Sequence, residues 1–441
     1  MWASNEREDP DKLRGLRLSV TRTPGDAERF NMSAISTQLD RQLARTVKLT
    51  GWLKTTWAPR LRPRLIGKLM DGVDFVARGV HYVWRNRRYL SALKLANMAA
   101  INIQYKLKTE RVVGRPYRMK IESTNICNTK CQLCPTGIGL GGRDKGKMSF
   151  EHYTKLIDEL QRWLVALDLS MWGDPLIVPD IYRMVRYAHD KGVWTYLSSN
   201  LHAFKPEKGQ AQALIESGLD MLTCSLHGAS QRTFEIYQPG KNFESTVEKI
   251  RCIVETKKQM KSATPALQLN FVVTRHNEHE IAAFQELADE LGCKAVFSTA
   301  ALNTRFLGQD KNLQPLGLAP DVLKKKIENH VRDWMPANKK YVLDAYEKIA
   351  AGEVTEEAFN GKKLYNCHWP WQNSVINWDG QVVTCCGSWD PKEDMGSVFE
   401  QPFKKIWNGE KYRMARRSFK KKLAPDKAEN NPCATCPGFM L

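Results

Sequence analysis

Residues 118–135 read RMKIESTNICNTKCQLCP. A strand-like run over 118–124 leads directly into Cys127, Cys131 and Cys134, spaced CX3CX2C and followed by Pro135 and a glycine-rich stretch. Three thiolates converging from one loop can hold three corners of a cubane cluster, and a three-ligand site leaves one iron open to a substrate or cofactor. An open position marks chemistry rather than structure, by the logic that separates catalytic from structural zinc sites. Against this stand a structural zinc site with a remote fourth ligand, or three ordinary thiols.

Outward from this loop, residues 116–300 alternate apolar strand-like runs with amphipathic helices, the pattern of parallel strands in an α/β layer or barrel. Six strands are expected, over 118–124, 164–171, 194–199, 221–225, 267–274 and 295–300. Between them Phe150, Tyr153, Leu156, Ile157 and Leu160, then Val178, Ile181, Met184 and Val185, then Val247, Ile250 and Val254 mark helices with one buried stripe. The expected fold class is α/β, a partial (β/α)6 TIM-like barrel with its active site at the strand C-termini. A basic helical N-terminal extension over 41–115 precedes it, behind a loosely docked terminus over 1–40. A helical connection over 301–360, containing Pro315 and Pro320, leads to a small cysteine-bearing domain over 361–441.

The chain of 441 residues is long enough for two or three domains, and its 42% hydrophobic and 26% charged residues exclude disorder throughout. Its net charge of +19 is concentrated at 41–110, where 15 Lys and Arg face three Asp and Glu. Ile66, Leu69, Met70, Val73, Val76, Val80, Val83 and Trp84 recur there at helical spacing among arginines, predicting a basic amphipathic helix with a second over 89–107. Such a helix packs on the next domain, lies on an anionic bilayer with Trp52, Trp57 and Trp84 at the interface, or tracks a nucleic acid. No run of eighteen uncharged apolar residues occurs, and the first thirty residues lack a secretory core. A cytoplasmic protein is expected, with peripheral contact at the inner face of a membrane as one use of the helix.

The 11 cysteines are too unevenly placed for a disulfide framework and suit thiolate ligation in a reducing compartment. A second group comprises Cys367, Cys385, Cys386 and the CX2C pair Cys433 and Cys436, with four residues between Gly380 and Cys385. Four thiolates from two segments close a tetrahedral or cubane site, and zinc and iron–sulfur serve equally on spacing alone. Cys224, Cys252 and Cys293 read as small buried hydrophobes. The glycines of 137–142 match neither dinucleotide nor Walker spacing. Lys404, Lys405, Lys411, Arg413, Arg416, Arg417 and Lys420 to Lys422 read as a solvated basic face that attracts an acidic redox partner or anionic substrate.

With Leu133 before its third cysteine, the CX3CX2C loop resembles the signature of the radical S-adenosylmethionine superfamily, whose partial barrel the six β/α units match. The resemblance implies that Cys127, Cys131 and Cys134 bind a 4Fe-4S cluster whose unique iron takes the amino and carboxylate groups of S-adenosylmethionine. One-electron reduction then yields methionine and a 5'-deoxyadenosyl radical. Trp172-Gly173-Asp174-Pro175 looks like the family's Gly-Gly-Glu-Pro cofactor segment, with a shorter carboxylate and a tryptophan for a glycine. Ser199 and Asn200 match a cofactor-proximal pair, Ser225 is placed for the ribose, and Asn270 is a further cofactor candidate. His227, a proton carrier or a core histidine, and Gln238 stand where relatives carry an acidic residue and an arginine.

The CX12GX4C element and the CX2C pair look like a SPASM/twitch extension. Because a full SPASM domain would add cysteines beyond residue 436, the resemblance implies one auxiliary 4Fe-4S cluster on Cys367, Cys385, Cys433 and Cys436, with Cys386 spare. The implied activity is hydrogen abstraction from an unactivated carbon of a peptide, sugar or lipid-linked substrate, with electrons from a flavodoxin- or ferredoxin-type donor. Radical methylation is the enzymatic alternative. A non-enzymatic electron carrier or zinc-stabilised nucleic-acid binder is the alternative from another class.

Overall fold

β1 (Arg118–Ile121), β2 (Ala166–Asp168), β3 (Trp194–Ser199), β4 (Met221–Ser225), β5 (Ala266–Val273) and β6 (Lys294–Thr299) run parallel, each hydrogen-bonded to the next. The structure is a computed structural model that describes residues 87–139, 142–302, 320–352, 367–388, 390–420, 431–434 and 436. The amphipathic helix expected before residue 87 lies outside the described residues. Residues 87–90 belong to a separate unit and form a turn closed by Leu90 N–H on the Arg87 carbonyl.

Strand residues alternate as the pleat requires. In β3, Thr195, Leu197 and Ser199 are buried while Trp194, Tyr196 and Ser198 are half-exposed, and β5 repeats the pattern with Leu267, Leu269, Phe271 and Val273 buried. The buried set packs under helices. The opposite face lines the lumen with Lys120, Asp168, Tyr196, Gln268 and Asn270, so the inside of this partial barrel is polar.

The helices start where side-chain caps predict. The Ser149 hydroxyl accepts His152 N–H at 3.1 Å and opens the helix Phe150–Leu160, which buries Tyr153, Leu156, Ile157 and Leu160. Asn242 caps the helix Phe243–Gln259 through Ser245 N–H at 2.7 Å. Pro320 opens the helix Pro320–Trp334, its missing N–H costing nothing at the first position.

The sheet does not stop at β1. β7 (Asn373–Ile376), from the cysteine-bearing C-terminal segment, pairs with β1 in parallel, Arg118 opposite Asn373 and Ile121 opposite Ile376. The antiparallel β8 (Gln381–Val383) and β9 (Gly396–Ser397) follow, completing the order β6-β5-β4-β3-β2-β1-β7-β8-β9. Covering the free edge of β1 satisfies its ladder and continues the barrel sheet into the segment that carries the second cysteine group.

The helix Ala92–Lys106 is fastened to both parts. Asn97 exchanges two hydrogen bonds with the Arg115 backbone at 2.7 and 2.9 Å, and Gln372 donates to Asn102 at 2.7 Å. The fully buried indoles of Trp371 and Trp407 donate to the carbonyls of Thr109 and Gly114, each at 3.0 Å. Among the described residues no helix is long and apolar enough to cross a membrane.

Candidate functional site

The loop after β1 brings its three cysteines together. Thr129 Oγ1 lies 3.1 Å from Cys127 Sγ and 3.4 Å from Cys131 Sγ, so one hydroxyl spans both thiols. Leu133 anchors the loop in an apolar cluster with Tyr237, Leu302, Ile327, Val331 and Tyr346. Burial pushes the Cys131 thiol up to about 12, and the negative charges of Cys134 and Cys127 add to the shift. Cys134 is raised by burial against the N–H groups of Gly137 and Thr136.

The Trp172-Gly173-Asp174-Pro175 turn lies against the base of this loop. A Cβ on Gly173 would fall 2.4 Å from the Thr124 carbonyl oxygen and 2.6 Å from that of Ile126, so only glycine permits the approach. Asp174 N–H donates to the Ile126 carbonyl at 3.0 Å. Its buried carboxylate accepts from Leu176 N–H at 2.9 Å, Asn200 N–H at 2.8 Å and the Ser199 hydroxyl at 2.9 Å. Asn200 then reaches the loop itself, donating to Asn128 at 3.0 Å and to Cys127 Sγ at 3.6 Å. Gly173, Asp174, Ser199 and Asn200 are thus gathered at the first cysteine group. Ser225 and Asn270 form a second pair, opposite each other across β4 and β5, with Asn270 accepting from Ser298 at 2.7 Å.

The second cysteine group gathers at the far side of β7 and β8. Gly380, at φ +81°, makes the turn between them, and its missing Cβ leaves room for the Phe399 ring. Cys433 and Ala434 N–H groups bond to Asn431 Oδ1, and Cys433 Sγ approaches Thr384 Oγ1 at 3.8 Å, beside Cys385. Burial pushes Cys367 up to about 11 and raises Cys385 and Cys433, and the charges of neighbouring cysteines, Cys436 among them, add to all three shifts.

Both groups fit an iron–sulfur core. Among the described residues no three His, Cys, Asp or Glu side chains converge on one ion, although the thiols are close enough to feel each other's charge. Donor sets made only of cysteine thiols are soft and suit an iron–sulfur core. Thiols held protonated by burial and mutual repulsion ionise when a cationic core arrives.

Cys386 faces two ways. Its charge acts on Cys385 and Cys367, and it also interacts with Lys120 and Asp168, an ion pair joining β1 to β2. Sequence reading missed Glu122, which is fully buried and accepts from Trp172 N–H at 3.1 Å and Trp378 N–H at 3.3 Å. It ties the glycine turn to the β7–β8 turn, and burial pushes its pKa up to about 7. A carboxylate in the first turn after the strand was the available signal.

His227 proves to be a core histidine. Its Nδ1 accepts Val272 N–H at 3.2 Å, its ring lies 4.3 Å from that of Tyr237, and burial lowers its pKa to about 3. A histidine neutral in the fold but titrating near 6.5 when unfolded contributes stability above 6.5 that is lost as pH falls toward 3. Asn supplies the same acceptor and tolerates the local φ of +36°. His227→Asn is expected to remove about 1.4 kcal/mol per pH unit from the acid destabilisation below pH 6.5. Urea unfolding at pH 7.0 and 5.5 checks this; identical acid slopes in the two proteins would contradict it.

Comparison with known proteins places these features. The radical SAM superfamily matches residues 121–288, and the SPASM iron-sulfur cluster-binding domain matches 367–437. The AdoMet-dependent heme synthase of Methanosarcina barkeri is 29% identical over 186 residues, 42% of this chain and 50% of that protein. The mycofactocin maturase of Mycobacterium ulcerans is 28% identical over 183 residues, 42% of this chain and 47% of that protein. The chain thus spans about half the length of these two relatives. The tungsten-containing aldehyde ferredoxin oxidoreductase cofactor-modifying protein of Pyrococcus furiosus is 22% identical over 335 residues, 69% and 84% of the two chains. The crystal structure of Streptococcus suis SuiB shares the fold, with TM-score 0.51 at 13% identity over 89% of this chain and 88% of that one. The first domain brings S-adenosylmethionine and a 4Fe-4S cluster as its cofactors, and the second brings further iron–sulfur. A CX3CX2C loop at the mouth of a parallel partial barrel, whose sheet runs on into a second cysteine-bearing segment, is accounted for by one conclusion: the chain carries a radical SAM domain over 121–288 and a SPASM iron-sulfur cluster-binding domain over 367–437.

Proposed function

We propose that this chain uses Cys127, Cys131 and Cys134 to hold the cofactor-binding cluster, Cys367, Cys385, Cys433 and Cys436 to hold one auxiliary cluster, and the lumen between them to bind substrate. The observation that carries this reading is the position of β1. Its C-terminal end feeds the three-cysteine loop, while its Lys120 faces Cys386, next to the second group. When bound, the first cluster and S-adenosylmethionine supply a 5'-deoxyadenosyl radical that takes a hydrogen atom from an unactivated carbon.

The protein's own part is positioning. Asn200 and Thr129 orient the Cys127 side of the loop, and Leu133 fixes its other end. The Asp174 carboxylate locks the glycine turn to the end of β3, which leaves the turn's backbone and the Ser225–Asn270 pair to meet the cofactor. Lys120 and Asp168 select a substrate with a polar group that can enter their ion pair, and the half-exposed lumen admits a peptide or sugar rather than a bare acyl chain. Exposed Lys404, Lys405, Lys411 and Lys420 attract an acidic flavodoxin- or ferredoxin-type donor.

Anaerobic reconstitution followed by dithionite and S-adenosylmethionine tests the reading. Release of 5'-deoxyadenosine is expected; its absence with both clusters intact, across several candidate peptides and sugars, would overturn it. Gly173→Ala forces backbone carbonyls apart and is expected to cost about 1–3 kcal/mol of stability, with lower iron at the first site. Iron counting and thermal unfolding measure both. Wild-type values in both would mean the turn does not bear on the loop.

A further inference from the structure

The helix Glu410–Arg417 carries three arginines with different fates. Arg413 pairs with Glu410, and Arg417 pairs with the Glu110 carboxylate at 2.8 Å. Arg416, read from sequence as part of a solvated face, is 0% exposed. Its Nε donates to the Pro370 carbonyl at 2.9 Å and Nη1 to the Glu110 carbonyl at 3.0 Å. Nη2 has no hydrogen-bond partner among the described residues, and no carboxylate among them forms an ion pair with this guanidinium.

A buried cation without a counter-ion costs several kcal/mol after relaxation. Two carbonyl bonds offset part of that. So do the aromatic faces of Trp407 and Tyr412, whose ring centroids lie 4.3 and 5.1 Å from Cζ. Burial lowers its pKa to about 9, which leaves it charged at neutral pH. Tyr412 joins it to the second cysteine group: the phenol hydroxyl donates to the Val383 carbonyl at 3.3 Å, and the next residue, Thr384, has its Oγ1 3.8 Å from Cys433 Sγ. Tyr412 is itself held by Ser374 at 2.8 Å, which fixes its ring beneath the guanidinium.

Four thiolates around an iron–sulfur core leave a net negative charge, and reduction by one electron adds another. Net charge and local electrostatics are among the quantities that set cluster potentials. We propose that Arg416 is the buried counter-charge of the auxiliary cluster, holding it in the folded protein and raising its reduction potential, an inference that rests on the ligand assignment above. It is a positioning and tuning residue and touches no substrate. The orphaned Nη2 is the donor left over for the cluster's sulfurs or for the ligating thiolates.

The test is a redox titration of the reconstituted full-length protein, followed by electron paramagnetic resonance. The auxiliary signal is the one that S-adenosylmethionine does not perturb. Wild type is compared with Arg416→Lys, Arg416→Gln and Arg416→Met. Lys keeps the charge and is expected to retain the cluster and a near-wild-type potential. Gln and Met are expected either to lose the auxiliary cluster or to disfavour its reduction at least tenfold, equivalent to ~59 mV for one electron. Two results would overturn the inference: Lys failing along with Gln and Met, which would mean that shape rather than charge is required, or all three matching wild type. Iron sufficient for only one cluster in the wild-type protein would instead defeat the ligand assignment beneath it.

Discussion

In the Cys131→Ala variant, formation of 5'-deoxyadenosine is expected to fall by a factor of about 10³ or more, the equivalent of ~4 kcal/mol of lost transition-state stabilisation. Cys131 is the middle cysteine of the loop, its thiol shares Thr129 with Cys127, and the charges of both neighbouring cysteines act on it. Alanine leaves two thiols, which cannot retain a site-differentiated cubane. The auxiliary iron should remain, because the second group draws its thiols from 367–436 and none from this loop. Iron counting together with electron paramagnetic resonance separates the two sites. Equal loss of iron from both would argue against separate clusters.

Cys433→Ala should do the reverse. Cys433 is buried, and the charges of Cys385, Cys367 and Cys436 all act on its thiol. The variant is expected to keep the first cluster and cofactor cleavage while product formed per 5'-deoxyadenosine collapses, because a substrate radical must lose an electron to become an oxidised product. Cys386→Ala serves as its control. That residue adjoins Cys385 and the Lys120–Asp168 pair but is the spare thiol of the proposed ligand set, so its loss should leave both clusters in place. Undiminished product yield in Cys433→Ala would remove the auxiliary cluster from the account.

These expectations rest on parts of the molecule that differ in how openly the sequence shows them. The strands at Trp194–Ser199 and Met221–Ser225 coincide with the expected ranges, because strong local alternation leaves little choice of register. The run over 164–171 shortens to Ala166–Asp168. There Asp168 Oδ1 takes Ser170 N–H at 2.8 Å and starts the turn toward Gly173, a side-chain effect that hydrophobic pattern does not report. The cysteine loop is legible because its spacing is local.

The pairing of β7 with β1 is not. Four residues with every side chain buried look the same at any sheet edge, and the partner lies some 250 positions away. Glu122 gains its role only when that pairing brings Trp378 beside it. Arg416 stands among lysines and arginines that do face water, and only its place on the Tyr412 and Ala415 stripe of the helix distinguishes it.

The claim on which all of this depends is that one iron of the first cluster is open to S-adenosylmethionine. Electron–nuclear double resonance on the reduced protein, with ¹⁵N in the cofactor's amino group and ¹⁷O in its carboxylate, measures that contact directly. Hyperfine coupling from both labels to a single cluster, absent in Cys131→Ala, is the predicted result. No coupling to any cluster in a fully iron-loaded protein that binds the cofactor would contradict it.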